Sequence, residues 1–310
     1  MFRSAIAAVL LGGTTLAAAA DAGGIATIIE GKSSVVRDRS RFDVTEGLQL
    51  AGDDLLHTGD GAFVRVEFDD GATVEIGPST LVQVNHPAAH KAGCAALYVL
   101  SGWIKVASGR PDGSKKSAVC APSVQVSEAT GTVVLQTDGS AASVYVEDGK
   151  AQVADRRPRF TKGFALKRGN YVAQTPDRPA TQFEHPVQAF VQAVPRLFRD
   201  ALPSRYAQLQ RKPQVLRNSG NILYADVQPW IDSPSPFRLQ FVPKWRLRAD
   251  DPAFRAGLER ELWRHPEWDP ILHPPPPPPD PPSAGDAERP VPAPQNVTTL
   301  QEPGRAPASH

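Results

Sequence analysis

Histidine and aspartate supply the residue pairs whose spacing in this sequence could support chemistry. His86 and His90 are four residues apart, a spacing that would place both rings on one face of a helix and would suit a zinc ion. Pro87 lies between them, in a stretch that we expect to be a loop between strands, so the spacing loses that meaning. The common nucleotide-binding and metal-binding motifs are also missing. We therefore predict neither a metal site nor a bound cofactor.

Two pairs of adjacent aspartates offer a second kind of chemistry. Asp53–Asp54 and Asp69–Asp70 could supply the acid and the base of a glycoside hydrolase. Each pair lies at a predicted turn, where an aspartate side chain commonly accepts hydrogen bonds from the local backbone. The sequence therefore favours a non-enzymatic protein. The alternative is an enzyme that acts on cell-wall or surface polysaccharide through these aspartates.

The two cysteines, Cys94 and Cys120, enclose 25 residues. In an oxidising compartment they would form a disulfide, and closing such a loop would contribute about 3–4 kcal/mol to stability on the chain-entropy model. Two buried free thiols, or half of a metal site, are the alternatives. We predict the disulfide, because a closed structural zinc site needs four ligands.

Residues 1–22 have the pattern of a secretory signal peptide. Arg3 is followed by an apolar stretch from Ala5 to Leu16 and then by a run of small residues that suits cleavage. No later window has the roughly 20 apolar residues that are needed to span a bilayer. We expect a periplasmic or secreted protein with no transmembrane segment after cleavage.

Charge is balanced in total but segregated along the chain. The net charge of +1 argues against a nucleic-acid partner. Residues 43–75 carry nine acidic side chains and one basic, whereas residues 150–168 carry seven basic and one acidic. Residues 196–217 carry six basic and one acidic. Such blocks either orient a charged partner or face each other within the fold.

Alternating strands and tight turns dominate residues 23–176. Phe63–Phe68 and Ala72–Ile76 flank Asp70–Gly71, a combination typical of a hairpin. Ala142–Val153 has the same pattern around Asp148–Gly149, which predicts a second hairpin. Short strands with frequent turns predict a mainly β domain with the form of a barrel, a sandwich or a β-solenoid.

Residues 177–272 change to a helical, tryptophan-rich pattern. Apolar residues recur at helical spacing over 186–202, where Pro195 should kink or split the helix. A second helix should begin at Asp251 as N-cap, with Pro252 in its first position. Four tryptophans form either part of a core or a candidate docking surface. They are Trp230, Trp245, Trp263 and Trp268.

Residues 273–310 form a proline-rich tail. Of the 31 prolines in the chain, 14 fall between Pro270 and His310, including the unbroken run Pro274–Pro279. Such a composition cannot bury enough apolar surface to offset chain entropy, so we expect a disordered tail. It would act as a spacer or as a ligand for an aromatic groove.

Several of these segments together resemble the FecR-like domain. The pattern of that family begins with Gly-Asp and continues to Thr-Gly. An alternating strand, an Asp-Gly turn and later strands interrupted by glycine then follow. The resemblance covers residues 45–175. The matching segments are Gly52–Gly59, Val64–Phe68, Asp70–Gly71, Val74–Ile76, Pro78–Ser79, Leu97–Val106, Ala121–Val124, Gly131–Thr132, Val144–Val153 and Gly163–Gly169.

The resemblance implies a fold and a general role. FecR-type regulators lie in the inner membrane and relay an outer-membrane signal to a sigma factor, and a cytoplasmic segment and a membrane span precede their FecR domain. This chain has a signal-peptide pattern in that position. The resemblance thus implies a periplasmic all-β interaction domain without that transmembrane output and without family catalytic residues. We expect a binding, scaffold or signal-sensing module with a cell-envelope protein or a glycan as partner.

Overall fold

The computed structural model describes residues 24–85, 97–109, 116–157, 163–212 and 216–275. The predicted signal peptide, His86, His90 and Cys94 lie outside these ranges, as does the predicted disordered tail beyond Pro275. The chain divides into one compact unit of residues 1–272 and a second unit of residues 273–310. All helices and strands of the described ranges belong to the first unit.

The protein is mainly β, as the alternating sequence pattern predicts. The described ranges contain a 15-stranded, branched sheet that is almost entirely antiparallel. The strands are β1 (Ile25–Glu30), β2 (Ser33–Arg37), β3 (Ser40–Asp43), β4 (Asp54–Thr58), β5 (Phe63–Glu67), β6 (Thr73–Ile76), β7 (Leu81–Val84), β8 (Leu97–Ala107), β9 (Ser117–Cys120), β10 (Val124–Thr137), β11 (Ala142–Asp155), β12 (Gly163–Lys167), β13 (Tyr171–Thr175), β14 (Arg178–Phe183) and β15 (Arg217–Asn221).

Three long strands, β8, β10 and β11, join the branches of this sheet. The first half of β8 pairs with β7, and its second half pairs with β6 and β10. Gly102 lies where β8 changes partners and has a φ of +102°. A side chain at this position would overlap Thr80. The change of partner therefore requires glycine.

The hairpin predicted at Asp148–Gly149 is wrong. β11 runs without interruption from Ala142 to Asp155. Gly149, with a φ of +77°, faces Gly131 of β10 between two register shifts, and a side chain on Gly149 would overlap the Thr130 carbonyl. The glycine accommodates an irregularity inside a strand pair instead of a turn. The other predicted hairpin is confirmed, since β5 and β6 pair on either side of Asp70–Gly71.

One apolar core lies within the sheet. Strands β1, β2 and β4–β14 all contribute buried side chains to it, mostly valine, leucine, isoleucine and alanine. On β5 the core residues Val64 and Val66 alternate with Arg65 and Glu67, which point to the other face. That other face is also covered, because all five residues of β5 are buried.

Residues 184–212, here called the strap, cover this second face. The strap contains α1 (Gln188–Ala193), a 3-10 turn (Arg196–Arg199) and α2 (Tyr206–Leu209). Pro195 separates α1 from the 3-10 turn, so the predicted split of the helix is confirmed. The strap packs its own Phe190 and Phe198 into a satellite cluster with Phe63, Val134 and Tyr171 of the sheet.

Residues 222–272, here called the cap, pack on a different part of the sheet. Buried aromatic side chains of the cap contact a patch formed by Val36, Leu55, Tyr98, Leu100 and Cys120. The helices of the cap are α3 (Tyr224–Ile231), α4 (Phe241–Trp245), α5 (Pro252–Arg260) and α6 (Asp269–Leu272), with 3-10 turns at Phe237–Gln240, Arg246–Asp250, Leu262–Arg264 and Pro266–Trp268.

The predicted start of α5 is confirmed in detail. The Asp251 side chain accepts hydrogen bonds from the amides of Ala253 (3.1 Å) and Phe254 (3.0 Å), and Pro252 occupies the first turn. These contacts satisfy two of the amides that an α-helix leaves unpaired at its N-terminus. Phe254 and Leu258 form the buried face of the helix.

The boundary expected at residue 176 differs from the structure in two respects. Strand β14 extends the β part to Phe183. Strand β15 lies inside the region expected to be helical. It connects the strap to the cap in sequence and pairs with β3 at one edge of the sheet. The strap and the cap thus belong to the same compact unit as the β strands.

Candidate interaction surfaces

Asp53 and Asp54, which are candidate catalytic residues if the protein is an enzyme, form hydrogen bonds and an ion pair within the fold. Asp54 is buried, and its Oδ2 lies 2.7 Å from Nη2 of Arg37 and accepts a hydrogen bond from the Ala51 amide at 2.8 Å. The side chain of Asp53 accepts a hydrogen bond from the Gln83 amide group at 2.9 Å. These contacts anchor the start of β4, which is a structural task for both carboxylates.

The second aspartate pair lies at the tip of the β5–β6 hairpin. Asp70 accepts a hydrogen bond from the Ala72 amide at 3.0 Å, the local turn contact that the sequence predicts. Asp69 is exposed. This geometry assigns Asp70 to the hairpin turn.

The part of the chain that the structure describes contains neither a cluster of metal-ligating side chains nor a helix that could span a membrane. There, no group of three or more His, Cys, Asp or Glu side chains is arranged to hold a metal ion. No helix in those ranges has the length and apolar character needed to cross a membrane. Cys120 is buried at the end of β9, while Cys94 lies outside the described ranges, so the disulfide stays a prediction.

The four candidate docking tryptophans separate into two groups. Trp230, Trp245 and Trp268 are buried in the cap, and a buried ring presents no surface to a partner. Trp245 also stacks on Phe241 with ring centroids 4.8 Å apart. In contrast, 79% of the surface of Trp263 is exposed. Only Trp263 of these four therefore remains a candidate docking residue.

A cleft of about 540 Å³ lies between the sheet and the cap, and we call it the cap cleft. Trp263 is not one of its lining residues, but it is the sequence neighbour of Arg264, which is. The Arg264 guanidinium carbon is 5.7 Å from the Trp263 ring centroid. The cleft combines apolar, hydroxyl and charged groups from the sheet and the cap. Its walls are Leu81, Leu100, Ser101, Pro122, Asp138, Gly139, Ser140, Gln228, Pro229, Asp232, Ser233, Pro234 and Arg264.

Asp232 connects the cap cleft to a buried histidine. One carboxylate oxygen lies 3.4 Å from Nη1 of Arg264, and the other is 3.0 Å from Nδ1 of His265. The Nε2 atom of His265 is 3.1 Å from the Leu258 carbonyl. Since both ring nitrogens have a polar partner, His265 is fixed in place and orients the carboxylate of Asp232. Nearby, burial raises the pKa of Tyr224 to about 12, and the charges of Asp232 and Glu261 add to this effect.

Glu67 is the main polar contact between the sheet and the strap. Its carboxylate accepts hydrogen bonds from Ser204 Oγ (2.5 Å), from the amides of Arg205 and Tyr206 (3.2 Å each), and from Thr27 Oγ1 (2.8 Å). Burial opposes ionisation, but the hydrogen bonds from Ser204, Thr27 and the Arg205 amide outweigh it and lower the pKa of Glu67. A charged Glu67 therefore holds this end of the strap.

Glu75 has the opposite balance on the same face of the sheet. Its Oε1 lies 2.5 Å from Nη1 of Arg65. Burial raises the pKa of Glu75, and the nearby cations Lys105 and Arg65 only partly offset this effect. Lys105 donates a hydrogen bond to the Phe198 carbonyl of the strap at 2.6 Å and pairs with Glu147 at 2.8 Å. The strap thus covers a charged patch in addition to the aromatic cluster around Phe63.

Part of the segregated charge is neutralised within the fold. Arg205, from the basic stretch 196–217, pairs with Glu46 of the acidic stretch at 2.6 Å. Together with the Glu67 contacts, this pair shows that the two stretches face each other. The basic stretch 150–168 is different, because its Lys150 and Lys167 line an open groove.

This groove, here called the lysine groove, has a volume of about 480 Å³. Its lining has three lysines, one glutamate and three side-chain amides. The glutamate, Glu128, forms an ion pair with Lys116. The lining residues are Lys116, Glu128, Lys150, Ala151, Gln152, Ala165, Leu166, Lys167, Asn170 and Gln182.

One family model matches part of the β region. Residues 54–152 match the family model described as FecR protein. This part of the chain therefore resembles a FecR domain. The match runs from β4 to β11, so it is shorter at both ends than the segment 45–175 that resembles the family in sequence.

Solved structures and curated proteins add little to the family match. Two crystal structures of a candidate anti-sigma factor from Parabacteroides distasonis ATCC 8503 are similar at 16% identity and a TM-score of 0.36. The alignments cover 45% of this chain and 64% and 65% of those chains, so this chain spans less than two thirds of their length. No curated protein matches the chain.

Both clefts include residues outside the FecR match as well as residues within it. The cap cleft takes Gln228, Asp232 and Arg264 from the cap, and the lysine groove takes Lys167 and Gln182 from β12 and β14. The sequence identifies residues 150–168 as a basic stretch but does not reveal that they line a groove. The register that places Lys150 opposite Lys167 depends on a pairing between β11 and β12 that charge counts cannot reveal.

Proposed function

We propose that this protein is a non-enzymatic binding protein of the bacterial cell envelope, in which the FecR domain supports the cap and the cap cleft receives a segment of an envelope protein. Trp263 is the anchor residue of this surface. The observation that carries the proposal is the exposure of Trp263 in a cap whose other three tryptophans are buried.

The chemistry of the cap cleft supports a protein partner. A large exposed aromatic ring next to an arginine is the combination that most often dominates binding energy at protein interfaces. Leu81, Leu100 and Pro122 supply apolar walls, and Arg264 supplies charge. Such a lining suits an extended peptide that places an apolar side chain in the cleft.

The non-enzymatic part of the proposal draws on the aspartates. Asp53, Asp54 and Asp70 have hydrogen-bond partners that explain their positions without a substrate. The FecR family match supports a regulatory or binding role in the same way. If purified protein hydrolyses peptidoglycan or a surface polysaccharide, and Asp69→Asn and Asp70→Asn abolish that turnover, the enzyme alternative replaces this proposal.

The periplasmic location draws on the sequence of residues 1–22 and on the cysteines. Export predicts that the mature chain begins after Ala20 or Ala22 and that Cys94 and Cys120 are joined. N-terminal sequencing of the protein recovered from the periplasmic fraction checks the first statement. Thiol titration of the denatured protein, with and without reductant, checks the second. An uncleaved chain with two reactive thiols would contradict export.

Site-specific crosslinking in cells tests the binding surface. A photoreactive amino acid at position 263 should capture one envelope protein, whereas the same probe at Leu247 of the cap should not, although 55% of Leu247 is exposed. With the purified partner, Trp263→Ala should weaken binding at least tenfold, and Leu247→Ala should leave it unchanged. Equal capture from both positions, or an unchanged affinity in Trp263→Ala, would contradict the proposal.

A further inference from the structure

The outward face of the β11–β12 pair has an arrangement of charge that the fold itself does not require. The cross-strand partners on this face are Lys150 with Lys167, and Gln152 with Ala165. Directly opposite residues of an antiparallel pair have Cβ atoms about 4.5–5.5 Å apart, and like charges at that distance destabilise the pair. Neither lysine forms an ion pair with any acidic residue of the described ranges.

The surroundings do not neutralise the two lysines. Glu128 is the acidic residue of the groove lining, and it pairs with Lys116. Three lysines and one glutamate leave the lysine groove with a net charge of +2. An anionic group between the ammonium groups of Lys150 and Lys167 would convert their repulsion into two favourable contacts.

The rest of the groove offers hydrogen bonds and space. Gln152 and Gln182 each carry an amide with two donor hydrogens and one acceptor oxygen, which matches the donor and acceptor character of sugar hydroxyls. Ala165 lies opposite Gln152, and its small side chain leaves the floor between the polar groups open. A volume of about 480 Å³ is within the range of small-molecule sites.

We infer that the lysine groove binds an acidic saccharide, with a sugar carboxylate or phosphate held between Lys150 and Lys167 and the sugar hydroxyls bound by Gln152 and Gln182. This inference is independent of the proposed protein partner, because the lining of the lysine groove shares no residue with the cap cleft. It assigns a second binding site to the FecR-domain protein.

Calorimetric titration of the full-length mature protein tests this site with four probes: glucuronate, glucose 6-phosphate, glucose and inorganic phosphate. One or both acidic sugars should bind at least tenfold more tightly than glucose, and the affinity should fall as salt rises. Glucuronate and glucose 6-phosphate distinguish a carboxylate source from a phosphate source. Equal binding of glucose would overturn the role of the lysines, and inorganic phosphate binding as tightly as glucose 6-phosphate would overturn the saccharide.

Matched variants locate the binding. The double variant Lys150→Gln/Lys167→Gln should lose at least tenfold in affinity, while Lys32→Gln, an exposed lysine in the β1–β2 turn, should bind as the parent does. Without ligand, the double variant should melt at the same or a higher temperature, since the substitution removes a like-charge pair. An unchanged affinity in this folded double variant would overturn the inference.

Discussion

The strap and the cap cover two parts of the same sheet, and they do so with different chemistry. The cap buries Trp230, Trp245 and Trp268 against an apolar patch that includes Leu55 and Leu100. The strap packs aromatic rings at its first half, but its second half rests on the carboxylate of Glu67 and on the Arg205–Glu46 pair. The cap thus packs on the sheet through apolar contacts like those inside a domain core. The second half of the strap buries Leu209 but adds the charged and hydrogen-bonded contacts of Glu67 and Arg205.

This difference predicts different responses to the same perturbation. Apolar burial is insensitive to moderate changes of pH and salt, whereas contacts made by a carboxylate depend on its charge. A hydrogen bond within the protein replaces one that the same group makes to water in the unfolded chain. Its net contribution to stability is therefore smaller than that of a buried aromatic ring. We therefore expect the cap to unfold only with the sheet and the second half of the strap to detach first.

The largest effect should come from removing an aromatic ring of the cap. Trp245→Ala deletes a buried ring that stacks on Phe241 and whose indole N–H donates to the Asp38 carbonyl at 2.8 Å. Deletions of this kind cost about 3–5 kcal/mol. Urea denaturation should show a loss of this size in the free energy of unfolding. Trp263→Ala, which removes an exposed ring of the same type, should change it by less than about 0.5 kcal/mol. Equal small losses in both variants would contradict a packed cap.

Neutralising Glu67 should have a smaller and more local effect. Glu67→Gln keeps the size of the side chain but removes the charge that accepts hydrogen bonds from Ser204, Arg205 and Tyr206, at a cost of about 2 kcal/mol. Hydrogen exchange of the Leu209 amide in α2 and of the Gln210 amide at the C-cap of α2 should accelerate.

The cap and a surface glutamate provide the controls for Glu67→Gln. The Phe254 amide, at the start of α5 in the cap, should keep its protection in the variant. Glu46→Gln removes an exposed partner of Arg205 and should cost less than about 1 kcal/mol. If the cap loosened together with α2, or if both glutamine variants behaved alike, the proposed distinction between the two regions would fail.

The sequence predicts many strands of the β region and the start of α5 because both depend on local residue chemistry. The alternation around Val64 and Val66, and the Asp251–Pro252 cap of a helix, are local signals of this kind. The burial of Arg65 and Glu67 depends instead on a strap more than 100 residues later in the chain, and no local pattern reports that contact. The same limit applies to the hairpin predicted at Gly149: its positive φ is real, but β10 and β12 determine that the strand continues.

Acidification should reveal the smallest of the three predicted effects, which is a difference in pH response between the strap and the cap. Because the pKa of Glu67 is lowered in the folded protein, its contribution to stability is fully present above its ordinary value of 4.5 and is lost as the pH falls below that value through the lowered folded pKa. Glu75 has the opposite sign: its raised pKa means that it takes up a proton at higher pH, which relieves an unfavourable buried charge. Protection of the Leu209 amide relative to that of the Arg255 amide, which donates to the backbone carbonyl of Asp251 in the cap, should therefore hold from pH 7 to pH 5 and fall only below about pH 4.5. Glu67→Gln should remove the step below pH 4.5. A step that persists in that variant would assign the pH response to another group and would weaken the contrast between a strap held by charge and a cap held by packing.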